Sequence, residues 1–118
     1  MSYVLAVDLG TTFTAASILR DGAYGVSVLR AGHEGWSRHF GGQPQPAAAP
    51  LWRTVGRVPV LVDALAWFAC TVDSVVVVGD HTLFVARVAD CEAVDGAPLV
   101  AFASGYRSLP AAPSRSAI

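Results

Sequence analysis

Residues 75–85 have the sequence Val-Val-Val-Val-Gly-Asp-His-Thr-Leu-Phe-Val, which includes the most informative stretch of the chain, Gly79–Thr82. The apolar run Val75–Val78 is followed by a glycine turn and then by a second apolar run, Leu83–Val85. Runs of β-branched and aromatic residues on either side of a short Gly-Asp turn are typical of two strands joined in a hairpin. The turn also carries His81, whose imidazole titrates near physiological pH and is therefore suited to chemistry.

Similar apolar runs on both sides of this hairpin predict a mainly β protein. We expect strands at Tyr3–Val7, Tyr24–Leu29, Val60–Val62, Ala64–Val72, Thr82–Ala89 and Leu99–Phe102. One or two short helices are predicted, at Thr12–Arg20 and at Gly32–Phe40, and the Pro-rich and Ala-rich segment Gln43–Pro50 is predicted to be a surface loop. A small barrel is the economical way to cover so many apolar strands.

The composition limits the classes of function. The chain has 118 residues, 53% of them hydrophobic and 14% charged, with a net charge of -1. This charge balance gives no electrostatic case for nucleic acid or for an anionic membrane. The apolar content indicates either that much of the chain is core or that part of its apolar surface meets another subunit. No run is long enough to span a membrane and no secretory signal is visible. Cys70 and Cys91 lack metal-type spacing, as do His33 and His39, so we expect no metal site and a cytoplasmic protein.

A series of motifs resembles one known family. From Gly56 to Leu109, the order and spacing resemble the C-terminal part of the flavin reductase-like family. The motifs are Pro59-Val60-Leu61, Asp63-Ala64-Leu65-Ala66-Trp67, Cys70, Gly79-Asp80-His81-Thr82, Asp95-Gly96-Ala97-Pro98-Leu99-Val100 and Gly105-Tyr106-Arg107-Ser108-Leu109. Upstream, Gly25–Leu29, Gly32-His33-Glu34 and Ser37-Arg38-His39-Phe40 resemble the middle of the same family, so the resemblance covers about residues 18–109.

The resemblance implies an incomplete FMN-binding split β-barrel that forms a homodimer. It also implies NADH- or NADPH-dependent reduction of FMN or FAD, in some cases for a partner monooxygenase. His81 is the implied catalytic residue, lying beside the nicotinamide or flavin ring, and the implied cofactor-binding residues are Arg38, Gly79, Asp80, His81, Tyr106 and Arg107. The first portion of the family, which binds flavin through a Ser/Thr-rich segment, is expected to be missing, which would impair activity.

The N-terminus resembles a different family. Asp8-Leu9-Gly10-Thr11-Thr12 is similar to the first phosphate loop of the heat-shock chaperone and actin-like ATPases. In those proteins glycine admits close phosphate approach, threonine hydroxyls donate to phosphate and aspartate orients hydrated magnesium. We therefore predict an ATPase-like leader at 1–17, a split-barrel portion at 18–109 and a flexible tail at 110–118.

Plainer interpretations compete with each of these roles. His81 is alternatively a turn histidine hydrogen-bonded to nearby backbone, and Asp80 a cap of its own turn. Tyr106 and Trp67 alternatively pack in the core or at an interface, while Arg38 and Arg107 stay solvated. At the level of function, the alternatives to a flavin reductase are a non-catalytic module that binds flavin or dimerises, and an ATP-binding fragment.

Overall fold

A computed structural model describes residues 3–8, 20–43 and 50–110, with the backbone alone for 3–8. Within these residues the chain forms eight strands and one helix. The strands are β1 (Tyr3–Asp8), β2 (Ala23–Val28), β3 (Trp52–Val55), β4 (Val58–Leu61), β5 (Ala66–Val78), β6 (His81–Ala93), β7 (Val100–Phe102) and β8 (Gly105–Arg107), and the helix is α1 (Glu34–Phe40). The mainly β prediction is confirmed.

The long β5–β6 hairpin is the centre of the fold. Its two strands pair from Ala66 opposite Ala93 to Val78 opposite His81, which leaves a loop of Gly79 and Asp80. Gly79 has a φ of 61°, while Asp80 is not among the residues with positive φ. Glycine at the first loop position is the requirement of a type II′ turn, whose twist matches that of the flanking strands. The hairpin predicted from residues 75–85 is therefore present.

Two further strands extend this hairpin into a sheet, and two separate hairpins complete the described fold. β1 pairs with β6 and β2 pairs with β5, which gives one antiparallel sheet in the order β1-β6-β5-β2. β3 and β4 form one separate hairpin, and β7 and β8 form another. Over residues 3–8, 20–43 and 50–110 the strands form no closed barrel, which agrees with the expected incomplete split barrel.

The buried side chains form two clusters on opposite faces of β5. Tyr24, Cys70, Phe84 and Ala86 form the first, with Phe68 packed against it. The second consists of Val58, Val60, Trp67 and Ala69. Neighbouring strand residues point to opposite faces, so Trp67 and Phe68 contribute to different clusters.

The second cluster exists because β2 lies very close to β4. A Cβ atom built on Gly25 would lie 2.3 Å from the Pro59 carbonyl oxygen. Two residues further along β2, the Ser27 hydroxyl oxygen accepts a hydrogen bond from the Leu61 backbone N–H at 3.0 Å. The missing side chain at Gly25 thus lets the β3–β4 hairpin pack directly on the sheet.

Some predicted bounds differ from the observed ones. β5 begins two residues later than the predicted strand at Ala64 and continues past Val72 to Val78, through a register shift between Val72 and Ser74. The prediction ended the strand before the charged residue Asp73. It was wrong because the bulge accommodates Asp73 without ending the strand. Strands β3 and β8 were not predicted. Most of the predicted helix Thr12–Arg20, most of the loop Gln43–Pro50 and residues 111–118 of the predicted tail lie outside the described residues.

Tyr24 makes stability sensitive to alkaline pH. Burial, followed by the nearby Cys70, raises the pKa of Tyr24 to about 12, while the unfolded chain titrates near the ordinary value of about 10. The folded state holds the phenol proton more tightly than the unfolded chain does. The resulting contribution of Tyr24 to the free energy of unfolding is therefore complete below about pH 10 and is lost as pH rises toward 12. We expect the unfolding free energy to fall across that window, and less steeply in Tyr24→Phe, when measured by urea unfolding. Equal slopes would contradict this assignment. Burial also raises the pKa of the Cys70 thiol, so some dependence persists in the variant.

No helix in the described part of the chain has the length and apolar character needed to cross a membrane.

Candidate functional site

A cleft lies between helix α1 and the β7–β8 hairpin. It has a volume of about 420 Å³ and is open to solvent. One wall comes from the end of the helix and the residues after it, and the other comes from the hairpin; the lining residues are Ser37, Arg38, Gly41, Gln43, Ala101, Ser104, Gly105 and Tyr106. Two residues that the sequence singled out, Arg38 and Tyr106, therefore meet in one cleft.

Arg38 packs on the face of Tyr106. Its guanidinium carbon lies 5.2 Å from the centre of the Tyr106 ring, which is within cation–π distance. Arg38 is in the last turn of α1, where a cation is favoured by the carbonyl groups at the helix end. A guanidinium carries five N–H donors, which suit it to bind the oxygens of a carboxylate or a phosphate.

The β7–β8 turn shapes the second wall. Phe102 pairs with Gly105, and the two loop residues, Ala103 and Ser104, have φ values of 51° and 62°. This left-handed pair corresponds to a type I′ turn, which normally uses Asn and Gly because side chains with Cβ are strained there. The strained turn places Ser104 at the cleft beside Tyr106.

Arg107 is adjacent to the cleft but is held by its own strand. Its Nη1 donates a hydrogen bond to the Tyr106 carbonyl oxygen at 2.9 Å. The same guanidinium lies over Gly105, where a Cβ would be 2.8 Å from Nη1. Arg107 therefore covers the hairpin backbone, and it does not line the cleft.

The Gly79-Asp80-His81 turn lies at the tip of the β5–β6 hairpin. Half of the His81 side chain is exposed, and its Nε2 lies 3.4 Å from an Asp80 carboxylate oxygen. None of the three turn residues lines the cleft between α1 and β7–β8. Of the predicted site residues, the structure thus brings Arg38 and Tyr106 together in the cleft, keeps Arg107 beside it, and places the turn residues on a different element.

The cleft has the chemistry that a nucleotide requires. Arg38 supplies a cation with several N–H donors, and the hydroxyls of Ser37 and Ser104 supply neutral donors. The lining contains no carboxylate, so nothing in it repels phosphate. Phosphate-bearing groups such as FMN, FAD and NADH therefore fit the donor set of this cleft.

The sequence analysis did not predict a cluster of charged and polar side chains that lies just before the start of α1. Asp63 contacts both Arg30 and His33, at 2.7 Å and 3.7 Å respectively. These residues are distant in the sequence, and no spacing rule joins them. Arg30 and Asp63 also line a smaller cleft of about 190 Å³. Arg53 lines the same cleft and lies 4.9 Å from the centre of the Trp67 ring. Among the described residues, no three metal-ligating side chains cluster.

Comparison with known proteins places this chain in a family. The family described as "Flavin reductase like domain" matches residues 4–110. The NADH-dependent flavin reductase StyB of Pseudomonas fluorescens is 40% identical over 97 residues, which cover 79% of this chain and 57% of the relative. An NADH-dependent flavin reductase of Rhodococcus is 41% identical over 110 residues, covering 90% of this chain and 61% of the relative. The styrene monooxygenase flavin reductase of Pseudomonas putida S12 superposes with a TM-score of 0.77 at 32% identity, covering 95% and 72% of the two chains.

The chain belongs to the flavin reductase like domain family. It spans about three fifths of the length of the two sequence relatives named above. The predicted ATPase resemblance of residues 1–17 is not supported, because the family match begins at residue 4 and β1 pairs with β6 in the central sheet. Restricting the family to a C-terminal portion from residue 18 is not supported either. The ATPase-like interpretation rested on five residues at a strand end, where Gly and Thr are also common turn residues.

Proposed function

We propose that this chain catalyses NADH-dependent reduction of FMN or FAD. The observation that carries the proposal is the cleft in which Arg38 packs on Tyr106, in a chain of the flavin reductase like domain family. The relatives named NADH-dependent flavin reductase favour NADH over NADPH as the reductant. The cleft volume of about 420 Å³ suits one nucleotide portion, with the remainder of the molecule extending into solvent.

In this proposal the chain binds and orients, while the bound nucleotides supply the hydride donor and acceptor. Arg38 holds a phosphate through its N–H donors, and Tyr106 fixes the plane of the guanidinium. Ser37 and Ser104 add hydroxyl donors from the two walls, and Arg107 supports the hairpin and adds positive charge. Hydride transfer needs little acid–base machinery, so correct alignment of two rings is the main requirement.

His81 is proposed to act on a ring rather than on a phosphate. Its imidazole can donate a hydrogen bond that orients the nicotinamide or the flavin, with Gly79 providing the turn and Asp80 lying next to the imidazole Nε2. The exposed position at the hairpin tip leaves this group accessible to a ligand.

Steady-state NADH consumption tests the proposed function. Purified chain is mixed with NADH and either FMN or FAD, and the fall in NADH absorbance is followed, with NADPH in a parallel arm. We expect consumption that depends on both protein and flavin. The proposal is wrong if NADH and NADPH are consumed no faster with the protein than in the protein-free control, whichever flavin is added.

His81→Ala should lower this rate by about 10- to 100-fold, a loss within the range known for removal of one positioned hydrogen-bonding or acid–base group. The exposed side chain contributes little to packing, so the free energy of unfolding should stay within about 0.5 kcal/mol of the wild type. A full rate in a folded His81→Ala protein would assign His81 to the turn alone.

A homodimer is part of the proposal. Val75–Val78 form an apolar surface, here the valine surface, with exposed fractions between 40% and 73%. In the described part of the chain, this half of β5 pairs with β6 on one side only. An exposed apolar edge of this kind is normally covered by another chain. Light scattering should give twice the chain mass, and a monomer at micromolar concentration would contradict the dimer.

A partner protein and a cellular location are also part of the proposal. One structural relative is named as the flavin reductase of styrene monooxygenase, and we infer that this chain also supplies reduced flavin to a monooxygenase. Its two cysteines, Cys70 and Cys91, are unpaired. Unpaired cysteines are typical of reducing compartments, which supports a cytoplasmic location.

A second candidate is a module that binds flavin or dimerises without turnover. The observation that favours it is the separation of His81 from the residues that line the cleft. This candidate predicts quenching of FMN fluorescence by the protein and no NADH consumption. Removal of residues 1–17, which include β1, tests whether that segment is needed.

A further inference from the structure

The residues around Asp63 form a cluster outside the cleft that the proposed function does not use. Asp63 lies in the turn between β4 and β5 with a φ of 73°. Glycine adopts this left-handed conformation without strain, and aspartate and asparagine adopt it more readily than other side chains do. An aspartate at this position adds a carboxylate that glycine lacks.

Asp63 holds Arg30 at two points. The Arg30 Nη2 lies 2.7 Å from the carboxylate Oδ1, and the Arg30 Nε donates to the Asp63 backbone oxygen at 2.9 Å. The left-handed backbone aims both oxygens at the same guanidinium. Two nitrogens of one guanidinium therefore meet two oxygens of one residue, in a pair whose side chains are 34% and 60% exposed.

Asp63 also faces His33, which begins the helix. The His33 Nδ1 accepts a hydrogen bond from the Arg30 backbone N–H at 3.1 Å, so the neutral ring carries its proton on Nε2. That Nε2 lies 3.7 Å from the second carboxylate oxygen of Asp63. The ring is stacked on Trp36 with centroids 4.4 Å apart, and only 11% of the His33 side chain is exposed.

The segment 29–33 is connected to both walls of the cleft, by the chain on one side and by backbone hydrogen bonds on the other. Helix α1, with Arg38, follows His33 directly, and the Ser37 N–H donates to the His33 carbonyl oxygen at 3.0 Å. The stretch leading into the other wall is bonded to the same segment, because Ala31 N–H donates to the Ala97 oxygen and Leu99 N–H donates to the Leu29 oxygen. Whatever fixes segment 29–33 therefore fixes the spacing of Arg38 and Tyr106.

We propose that Asp63 is a positioning residue, which anchors segment 29–33 through Arg30 and His33 and so sets the Arg38–Tyr106 pair for its ligand. The expected effect of Asp63 on flavin binding rests on the proposed function. The expected effect of Asp63 on the contact between Arg38 and Tyr106 is independent of the proposed function. Asp63 acts through Arg30 and His33, because it is not among the residues that line the cleft.

Two substitutions separate the carboxylate from the backbone. Asp63→Gly relieves the left-handed strain and removes the carboxylate, while Asp63→Asn keeps the side-chain size and tolerates the same φ. Asp73→Asn, in the β5 bulge, removes one exposed carboxylate elsewhere and is the control. We expect nuclear Overhauser contacts between Arg38 and the Tyr106 ring to weaken in both Asp63 variants and to persist in the control, with all three folded.

Flavin measurements provide the second readout. In the Asp63 variants the Kd for FMN should rise about tenfold, ~1.4 kcal/mol, and KM for FMN should rise more than kcat falls. Combining Asp63→Asn with Arg30→Ala should add little, because both remove the same anchor. Unchanged Arg38–Tyr106 contacts in folded Asp63→Gly and Asp63→Asn would overturn the inference. If the wild type itself does not bind FMN, the proposed function fails, and the Overhauser contacts still decide the role of Asp63.

Discussion

Gly25→Ala is expected to lower the free energy of unfolding by about 3 kcal/mol, the upper end of the cost of overpacking. The new methyl carbon would lie 2.3 Å from the Pro59 carbonyl oxygen, and neither strand can move without disturbing its hydrogen bonds. The β3–β4 hairpin would separate from the sheet, exposing the cluster around Val60 and Trp67. Urea unfolding followed by tryptophan fluorescence measures the change, since Trp67 belongs to that cluster.

Gly22→Ala is the matched control for this steric argument. Gly22 has a φ of 68°, but a Cβ there would meet nothing within 4 Å. Its substitution carries only the left-handed penalty of about 1 kcal/mol. If Gly25→Ala were no more costly than Gly22→Ala, the close approach of β2 and β4 would be wrong.

Arg38→Ala should produce the largest loss at the cleft. Removal of a charged donor that binds phosphate costs about 1.5–3 kcal/mol, which raises the Kd for FMN by roughly 10- to 150-fold. Arg38→Lys should recover only part of the affinity, because lysine keeps the charge but loses the planar donors and the stacked geometry on Tyr106. Titration of FMN fluorescence measures each Kd.

Arg53→Ala is the control for the loss of an arginine stacked on an aromatic ring. Arg53 makes the same type of contact with Trp67 but lies outside the Arg38–Tyr106 cleft. Its removal should leave the Kd for FMN within about twofold of the wild type, as expected for a surface change of about 0.5 kcal/mol or less. Equal losses in Arg38→Ala and Arg53→Ala would show that net charge, rather than the cleft, governs FMN binding.

The sequence predicted the elements whose patterns are local. Four valines, a Gly-Asp turn and a second apolar run suffice for the β5–β6 hairpin, and Gly41 after a short amphipathic stretch suffices for the end of α1. Strand β3 was missed because Trp52–Val55 has no buried residue, so no alternation marks it. Strand β8 has only three residues and carries no periodic signal.

The site was predictable in its residue types and not in its arrangement. Arg38 and Tyr106 were both selected, but only the packing of α1 against β7–β8 brings them together. The contacts of Asp63 depend on a left-handed backbone in a turn, which a sequence pattern does not specify for aspartate. His81 was selected from its motif, and its place at the hairpin tip follows from the register of β5 and β6.

Anaerobic reduction of FMN by NADH is the most direct test of the proposed flavin reductase function. Chain, FMN and an excess of NADH are mixed without oxygen, and the visible absorbance of oxidised FMN is followed against a protein-free control. The proposed function predicts bleaching of FMN that is strongly accelerated by the chain and slowed in Arg38→Ala at subsaturating FMN. Bleaching at the protein-free rate, with a folded chain and saturating FMN, would contradict it.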